Sequence, residues 1–150
     1  WGFDFAAWSA DGALTLQELE LPASSSMVAF ALPSPLGIVF QDRRTPGGRV
    51  ELYVDELVDG GHAAAAGVAV GDIFRAASCV FKVKGKVDEL AFYGNPPKDQ
   101  YLPGVFVADG KSFDTCMDAI KSHGTPVDQP GGARAPMAEV QLLLERPAAA

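Results

Sequence analysis

The chain has 150 residues, the length of one domain with room for an added arm. Its 12 basic and 19 acidic residues give a formal net charge of −7 and form no basic block, which argues against a nucleic-acid partner. The longest unbroken apolar run, residues 63–70, is far shorter than the ~20 residues that span a bilayer, so a soluble domain without a transmembrane segment is predicted.

Residues 1–26 predict an N-terminal arm that ends in a linker. Pro22 and the serines at 24–26 are typical of linkers. Upstream of them, aromatic side chains recur at close spacing, and such an arm is expected to pack on its own domain or on a partner. The aromatic residues expected to dock are Trp1, Phe3, Phe5 and Trp8. Because the sequence begins at Trp1, we also expect that an upstream segment has been removed.

From residue 27 the pattern is typical of short strands. Residues 27–32 and 38–41 are apolar runs, and residues 50–58 alternate in polarity, which predicts three strands joined by turns. Residues 63–66 then predict one short helical turn, stopped by a glycine. A further strand is predicted to start within residues 68–74.

Residues 79–104 are predicted to be an inserted hairpin or long loop. Their first half alternates apolar residues with Lys82, Lys84 and Lys86, which share one side of the strand. This lysine row is typical of a solvated edge that discourages sheet-to-sheet pairing. A docking surface for an acidic partner or an anionic membrane is the alternative.

Ser112 is a favourable N-cap for a helix over residues 113–123. His123 stands at the end of this helix, where the helix C-terminus favours a cation. Residues 125–136 are predicted to be a Pro/Gly linker and residues 139–146 a final strand, which leaves 147–150 as a tail.

The order of these pieces resembles a PDZ domain over residues 27–146. The turn Pro35-Leu36-Gly37-Ile38, the segment GGHAAAAGVAVGD at residues 60–72, the capped helix and the closing strand follow one another as in that family. The resemblance implies a mostly β (α+β) fold: a partly open antiparallel β-barrel with two helices.

The resemblance also implies a peptide site, in which a partner's extended C-terminus adds as a strand beside residues 38–41. Phe113 opens the groove helix where many family members have histidine, which implies an apolar preference at that ligand position. No Lys or Arg stands just before the turn, so we expect weak carboxylate capture. The same residues are also typical of a plain core. The implied peptide-binding residues are Leu36, Gly37, Ile38, Phe40, Phe113, Met117 and Ile120.

Within the family, the likeness is greatest to plastid PDZ-containing proteins of plants and algae. It lies in segments such as Val70-Gly71-Asp72 and Leu144-Glu145-Arg146-Pro147. It implies a non-enzymatic interaction module, an accessory or assembly subunit docked on a photosynthetic membrane complex at the thylakoid surface. Two alternatives are a regulatory adaptor for hydrophobic C-termini and a regulatory domain cut from a larger protease or redox protein.

Other chemistry has little support in the sequence. Cys79 and Cys116 are far apart and outside any CxxC motif, so two buried thiols are expected more than a bridge. No nucleophile elbow accompanies the two histidines, so no catalytic residue is predicted. Residues 7–18 have some acidic spacing of a calcium loop, but alanine holds the first ligand position and a turn is expected instead. We expect no metal and no cofactor.

Overall fold

The structure, a computed structural model, describes residues 24–83, 99–128 and 133–148. The strands in these ranges are β1 (Ser26–Leu32), β2 (Ile38–Arg44), β3 (Val50–Leu57), β4 (Ile73–Val83), β5 (Gln100–Val107), β6 (Val127–Asp128), β7 (Arg134–Ala135) and β8 (Val140–Arg146). The helices are α1 (His62–Ala66) and α2 (Phe113–Lys121), which continues into a 3₁₀ turn (Ser122–Gly124). Several predicted features lie outside the described residues: the arm up to residue 23, with Trp1, Phe3, Phe5 and Trp8; the calcium-loop-like residues 7–18; and Lys84 and Lys86.

The main sheet is antiparallel and runs in the order β1-β8-β4-β3-β2, with β5 paired to the second half of β4. In the described residues β1 and β2 end this order, and the sheet does not close. The predicted mostly β class, with two helices and an open antiparallel sheet, is therefore confirmed at this level.

One face of the sheet carries the main core. Phe30, Leu142, Ala77 and Phe106 follow one another in register across β1, β8, β4 and β5, and all belong to or pack against one apolar cluster. Leu142 is fully buried, a state that stabilises the fold by about 1.5–3 kcal/mol for a side chain of this size. Strand alternation in the sequence specifies this face.

Both helices form where the sequence predicts them, for local reasons. Gly67, at φ 98°, ends α1 in the left-handed conformation and donates its N–H back to Ala64. At the start of α2 the Ser112 hydroxyl accepts the N–H of Thr115, as an N-cap should. The predicted helix over residues 113–123 is α-helical to Lys121 only, and its last turn tightens to 3₁₀.

Several bounds differ from the prediction. β2 continues to Arg44, beyond the predicted end at residue 41, because the ladder with β3 extends to Arg43–Glu51 and beyond. The predicted insertion, residues 79–104, begins and ends inside the long paired strands β4 and β5. Within the predicted linker 125–136, β6 and β7 form a small ladder closed by the Arg134–Asp128 ion pair.

Candidate functional site

The turn before β2 is anchored through its carbonyl groups. Three of them in a row accept hydrogen bonds from the segment that follows β3: Pro35 O from His62 Nδ1 (2.8 Å), Leu36 O from Ala63 N (2.9 Å) and Gly37 O from Val58 N (2.9 Å). In the described part of the chain, the N–H groups of Leu36 and Gly37 donate to no partner. These amides are therefore available to an anion, as in backbone anion sites.

Gly37 is needed for this turn on two grounds. Its φ of +77° lies in the left-handed region, where a Cβ is disfavoured. A Cβ at this position would also stand 3.3 Å from the Cα of Gly61, so the turn and the loop after β3 touch backbone to backbone. Gly61 is constrained by contact alone, because its own Cβ would lie 3.0 Å from Val58 O. Two glycines thus allow the close packing that holds the turn.

The outer edge of β2 offers backbone groups to a further strand. Because Val58 N–H bonds to Gly37 O, Ile38 faces Leu57 as a non-hydrogen-bonded pair, and its own N–H and C=O point away from β3. Val54, opposite Phe40, bonds through its N–H and C=O to Asp72 and Gly71, just before β4, so Phe40 also directs its backbone outward. In the described residues β2 pairs with β3 alone, which leaves these groups at an open edge.

Helix α2 supplies a half-buried apolar side. Cys116 and Ala119 are buried, whereas Phe113, Met117 and Ile120 are partly exposed at spacings of four and three. These three pack against the main core cluster, and Ile38 does the same from β2.

All seven predicted peptide-binding residues thus belong to the turn or to one apolar cluster. Leu36 and Phe40 are buried, at 9% and 6% exposure, so their side chains act as core and their contribution to a site is their backbone. The partly exposed apolar side chains are those of Ile38, Phe113, Met117 and Ile120.

Of the predicted docking lysines, Lys82 alone lies in the described residues. It is about half exposed on β4, and its Nζ lies 3.0 Å from Asp99 just before β5. The hydrogen bond with Asp99 raises the Lys82 pKa. Lys82 thus forms an exposed ion pair that links the end of β4 to the residue before β5.

Sequence reasoning missed a buried relay at the end of α2. His123 Nδ1 donates to Ile120 O (2.8 Å), which fixes its Nε2 as the acceptor for the Ser78 hydroxyl (2.7 Å). The Ser78 oxygen in turn accepts the N–H of Gln141 (2.9 Å). A second relay joins Val80 N–H to the Ser122 hydroxyl, which donates to Ala119 O. Together they tie the C-terminal end of α2 to β4.

His123 lies at the C-terminal end of α2 and bonds to a carbonyl there, but burial disfavours the cation that this position was expected to favour. The ring is only 6% exposed, and this burial lowers its pKa, although the backbone carbonyls of Ile120 and Ala119 act in the opposite direction. Ser78 has no exposed surface, and its oxygen is engaged on both sides. Ser78 and His123 have the spacing of a nucleophile and its base. Their remaining hydrogen bonds, however, go to backbone groups, which is a structural role.

Three ion pairs, centred on two arginines, were also missed. Arg75, 4% exposed, forks onto both carboxylate oxygens of Asp109 (2.9 and 3.0 Å) and also reaches Glu145 (2.6 Å). Arg146 donates hydrogen bonds to both carboxylate oxygens of buried Asp72 and to Gly67 O. The partners are 34 to 79 residues apart in sequence, so no local pattern could have shown them.

Within the described ranges both cysteines are free thiols, no group of three or more His, Cys, Asp or Glu residues could hold a metal ion, and no helix is long and apolar enough to cross a membrane. Comparison with known proteins found no matching family model, curated protein or solved structure. The likeness to PDZ domains therefore rests on the sequence features quoted above.

Proposed function

We propose that this chain is a non-enzymatic interaction module of the PDZ kind, which binds an extended peptide C-terminus along the outer edge of β2. One observation carries the proposal. The carbonyls of Leu36 and Gly37 bond to the segment after β3, the amides of the same residues are free among the described residues, and the turn leads directly into an open strand edge. Free backbone amides can bind a carboxylate, and an open sheet edge can pair with an added strand.

The direction of the peptide follows from this arrangement. A carboxylate held at the turn lies at the start of β2, so the peptide must run back alongside β2 and is antiparallel to it. Its backbone would then pair with the outward groups of Ile38 and Phe40. Main-chain pairing of this kind supplies affinity that does not depend on the peptide's sequence.

The partly exposed side chains of the core cluster favour an apolar ligand. Ile38 of β2 and three side chains of α2, Phe113, Met117 and Ile120, are partly exposed, apolar and packed against that one cluster. Burying the peptide's last side chain among them contributes roughly 25 cal/mol per Å² of apolar area removed from water. Since amides alone face the carboxylate, we expect weak binding with fast dissociation.

A library of peptides displayed with free C-termini, selected on the full chain, tests the proposal. The selected peptide is then measured by fluorescence polarisation as the free acid and as the C-terminal amide. We expect apolar last residues and a strong preference for the free acid. Selection of no peptide, or equal affinity of acid and amide, would contradict the proposal.

Two variants locate the binding. Ile120→Lys places a charge among the apolar side chains of α2 and should abolish binding. Asp118→Asn changes the net charge by the same amount on the exposed side of the same helix, and should leave the affinity unchanged. Circular dichroism must first show that both variants fold, and equal affinities for the two would place the peptide elsewhere.

The narrower expectations stay predictions. A role as accessory or assembly subunit of a plastid membrane complex rests on the resemblance alone, as do the regulatory-domain alternative and the thylakoid location. Capture of one large complex from solubilised thylakoids by the intact chain is the result expected for the accessory role. Capture that survives Ile120→Lys would separate that role from peptide binding.

A further inference from the structure

The turn before β2 is bonded to a histidine side chain. His62, the first residue of α1, donates its Nδ1–H to Pro35 O at 2.8 Å. Because a carbonyl oxygen only accepts, this bond requires the proton of the neutral ring to be on Nδ1. The peptide group between Pro35 and Leu36 is planar and trans, so its N–H points away from its C=O. The Leu36 amide therefore faces away from the His62 ring.

The next two peptide groups of the turn are arranged in the same way. The carbonyls of Leu36 and Gly37 accept backbone N–H groups of residues 58–63. The amides of Gly37 and Ile38 therefore also point away from that segment. Of the three contacts that hold these amides in place, the His62 bond is the one made by a side chain, and the one whose donor can change its charge.

His62 is also the one side chain of these two segments that can become a cation. Residues 33–38 carry no charged group, and residues 57–68 carry Asp59 and His62 alone. The remaining part of the neighbourhood is uncharged in β1 and in the first half of β2. The charged side chains on the other elements beside the turn, all exposed, are Asp55 and Glu56 of β3 and Asp114, Asp118 and Lys121 of α2.

Protonation of His62 does not break its bond to the turn. The ring is exposed, and in the described residues its Nε2 has no partner. Nε2 can therefore take up a proton while Nδ1–H stays bonded to Pro35 O. His123 differs in this respect, because its Nε2 already accepts the Ser78 hydroxyl.

We propose that His62 is a positioning residue of the carboxylate site, which directs the Leu36 amide toward the ligand and strengthens carboxylate binding when it is protonated. This inference rests on the proposed peptide site and adds its regulation by pH. The bond to Pro35 O polarises the peptide group and makes the Leu36 N–H a better donor. A carboxylate oxygen on that N–H would lie roughly 8 Å from Nδ1 by standard bond lengths. In a solvated site at low salt, a cation at this distance raises the affinity about two- to fivefold.

The affinity of a selected peptide, measured by fluorescence polarisation at pH 5.5 and pH 8, tests the inference. The probe is an N-acetylated peptide whose C-terminal carboxylate is its one ionisable group, and this group stays ionised at both pH values. At about 20 mM salt the free acid should bind about two- to fivefold more tightly at pH 5.5, and the gain should shrink at about 0.5 M salt. The amidated peptide should show no gain.

Three variants separate the two effects of His62. His62→Asn keeps an N–H donor near the position of Nδ1 but cannot be protonated, so it should match the wild-type affinity at pH 8 and show no pH dependence. His62→Ala removes the bond and should bind several-fold more weakly at pH 8. His123→Gln, at the other of the two histidines, should keep the pH dependence. Circular dichroism at both pH values must first show that each variant is folded.

The outcomes distinguish this inference from the proposed function. Free-acid binding that is independent of pH in both the wild-type chain and His123→Gln would overturn the inference and leave the peptide site standing. A pH dependence that survives His62→Asn, or a wild-type affinity of His62→Ala at pH 8, would do the same. Binding of no free-acid peptide at either pH would contradict the peptide site and the inference together. NMR of the chain without peptide gives an independent check, because a neutral His62 ring with its proton on Nε2 would also overturn the inference.

Discussion

Replacing Gly37 by alanine tests whether the turn before β2 must have the shape found here. An alanine in the left-handed region costs about 1–2 kcal/mol relative to glycine. At Gly37 the new Cβ also stands 3.3 Å from the Gly61 Cα, a backbone atom that cannot rotate away. The turn and the loop must then separate, which strains the two 2.9 Å backbone bonds accepted by Leu36 and Gly37.

Each such bond contributes about 0.5–1.5 kcal/mol, so Gly37→Ala should lower the free energy of unfolding by about 2–5 kcal/mol in total. Gly48→Ala is the matched control. Gly48 has a similar φ of +84°, but a Cβ there meets nothing within 4 Å, so the expected loss is only about 1–2 kcal/mol.

Urea unfolding followed by circular dichroism measures both losses, and fluorescence polarisation measures the affinity for a selected peptide. Gly37→Ala should weaken peptide binding, because the amides of the turn no longer converge, whereas Gly48→Ala should not. Equal destabilisation by the two substitutions, with unchanged affinity for both, would refute the close packing of the turn and its part in the site.

Three further predictions concern buried groups. Because burial lowers the pKa of His123, the unfolded state takes up a proton there that the folded state rejects. The free energy of unfolding should therefore fall as the pH drops below about 6.5, by at most about 1.4 kcal/mol per pH unit, and His123→Gln should remove this dependence in urea titrations. Arg75→Met leaves the Glu145 carboxylate buried and unpaired, so it should cost about 3–5 kcal/mol, and adding Glu145→Leu should recover much of that loss. Burial raises the pKa of both thiols, that of Cys116 to about 11, so a disulfide reagent at neutral pH should modify half-buried Cys79 first and Cys116 only on unfolding.

Most of the local structure could be predicted from the sequence. Strand alternation, the glycine at 67 and the cap at Ser112 each act within a few residues, and the corresponding elements form close to their predicted bounds. The predicted site residues also belong together, because the turn, β2 and α2 all pack on a single cluster.

What could not be predicted depends on distant partners. Burial lowers the pKa of His123, and its ring bonds to Ser78, 45 residues away, a contact that no helix-end rule contains. The extent of β5 was obscured because Pro103 and Gly104 interrupt its apolar alternation. Gly104 leaves room for the Phe81 ring, which would lie 2.7 Å from a Cβ at that position, so the break in pattern is itself a packing feature.

An NMR titration of the isotope-labelled full chain tests the central claim most directly. A selected peptide with a free C-terminus should shift the amide signals of Leu36, Gly37, Ile38 and Phe40 together with those of α2, and the amidated peptide should shift them much less. Shifts confined to β1, β5 or other surfaces, or equal shifts with both peptides, would contradict a carboxylate-binding site at the β2 edge.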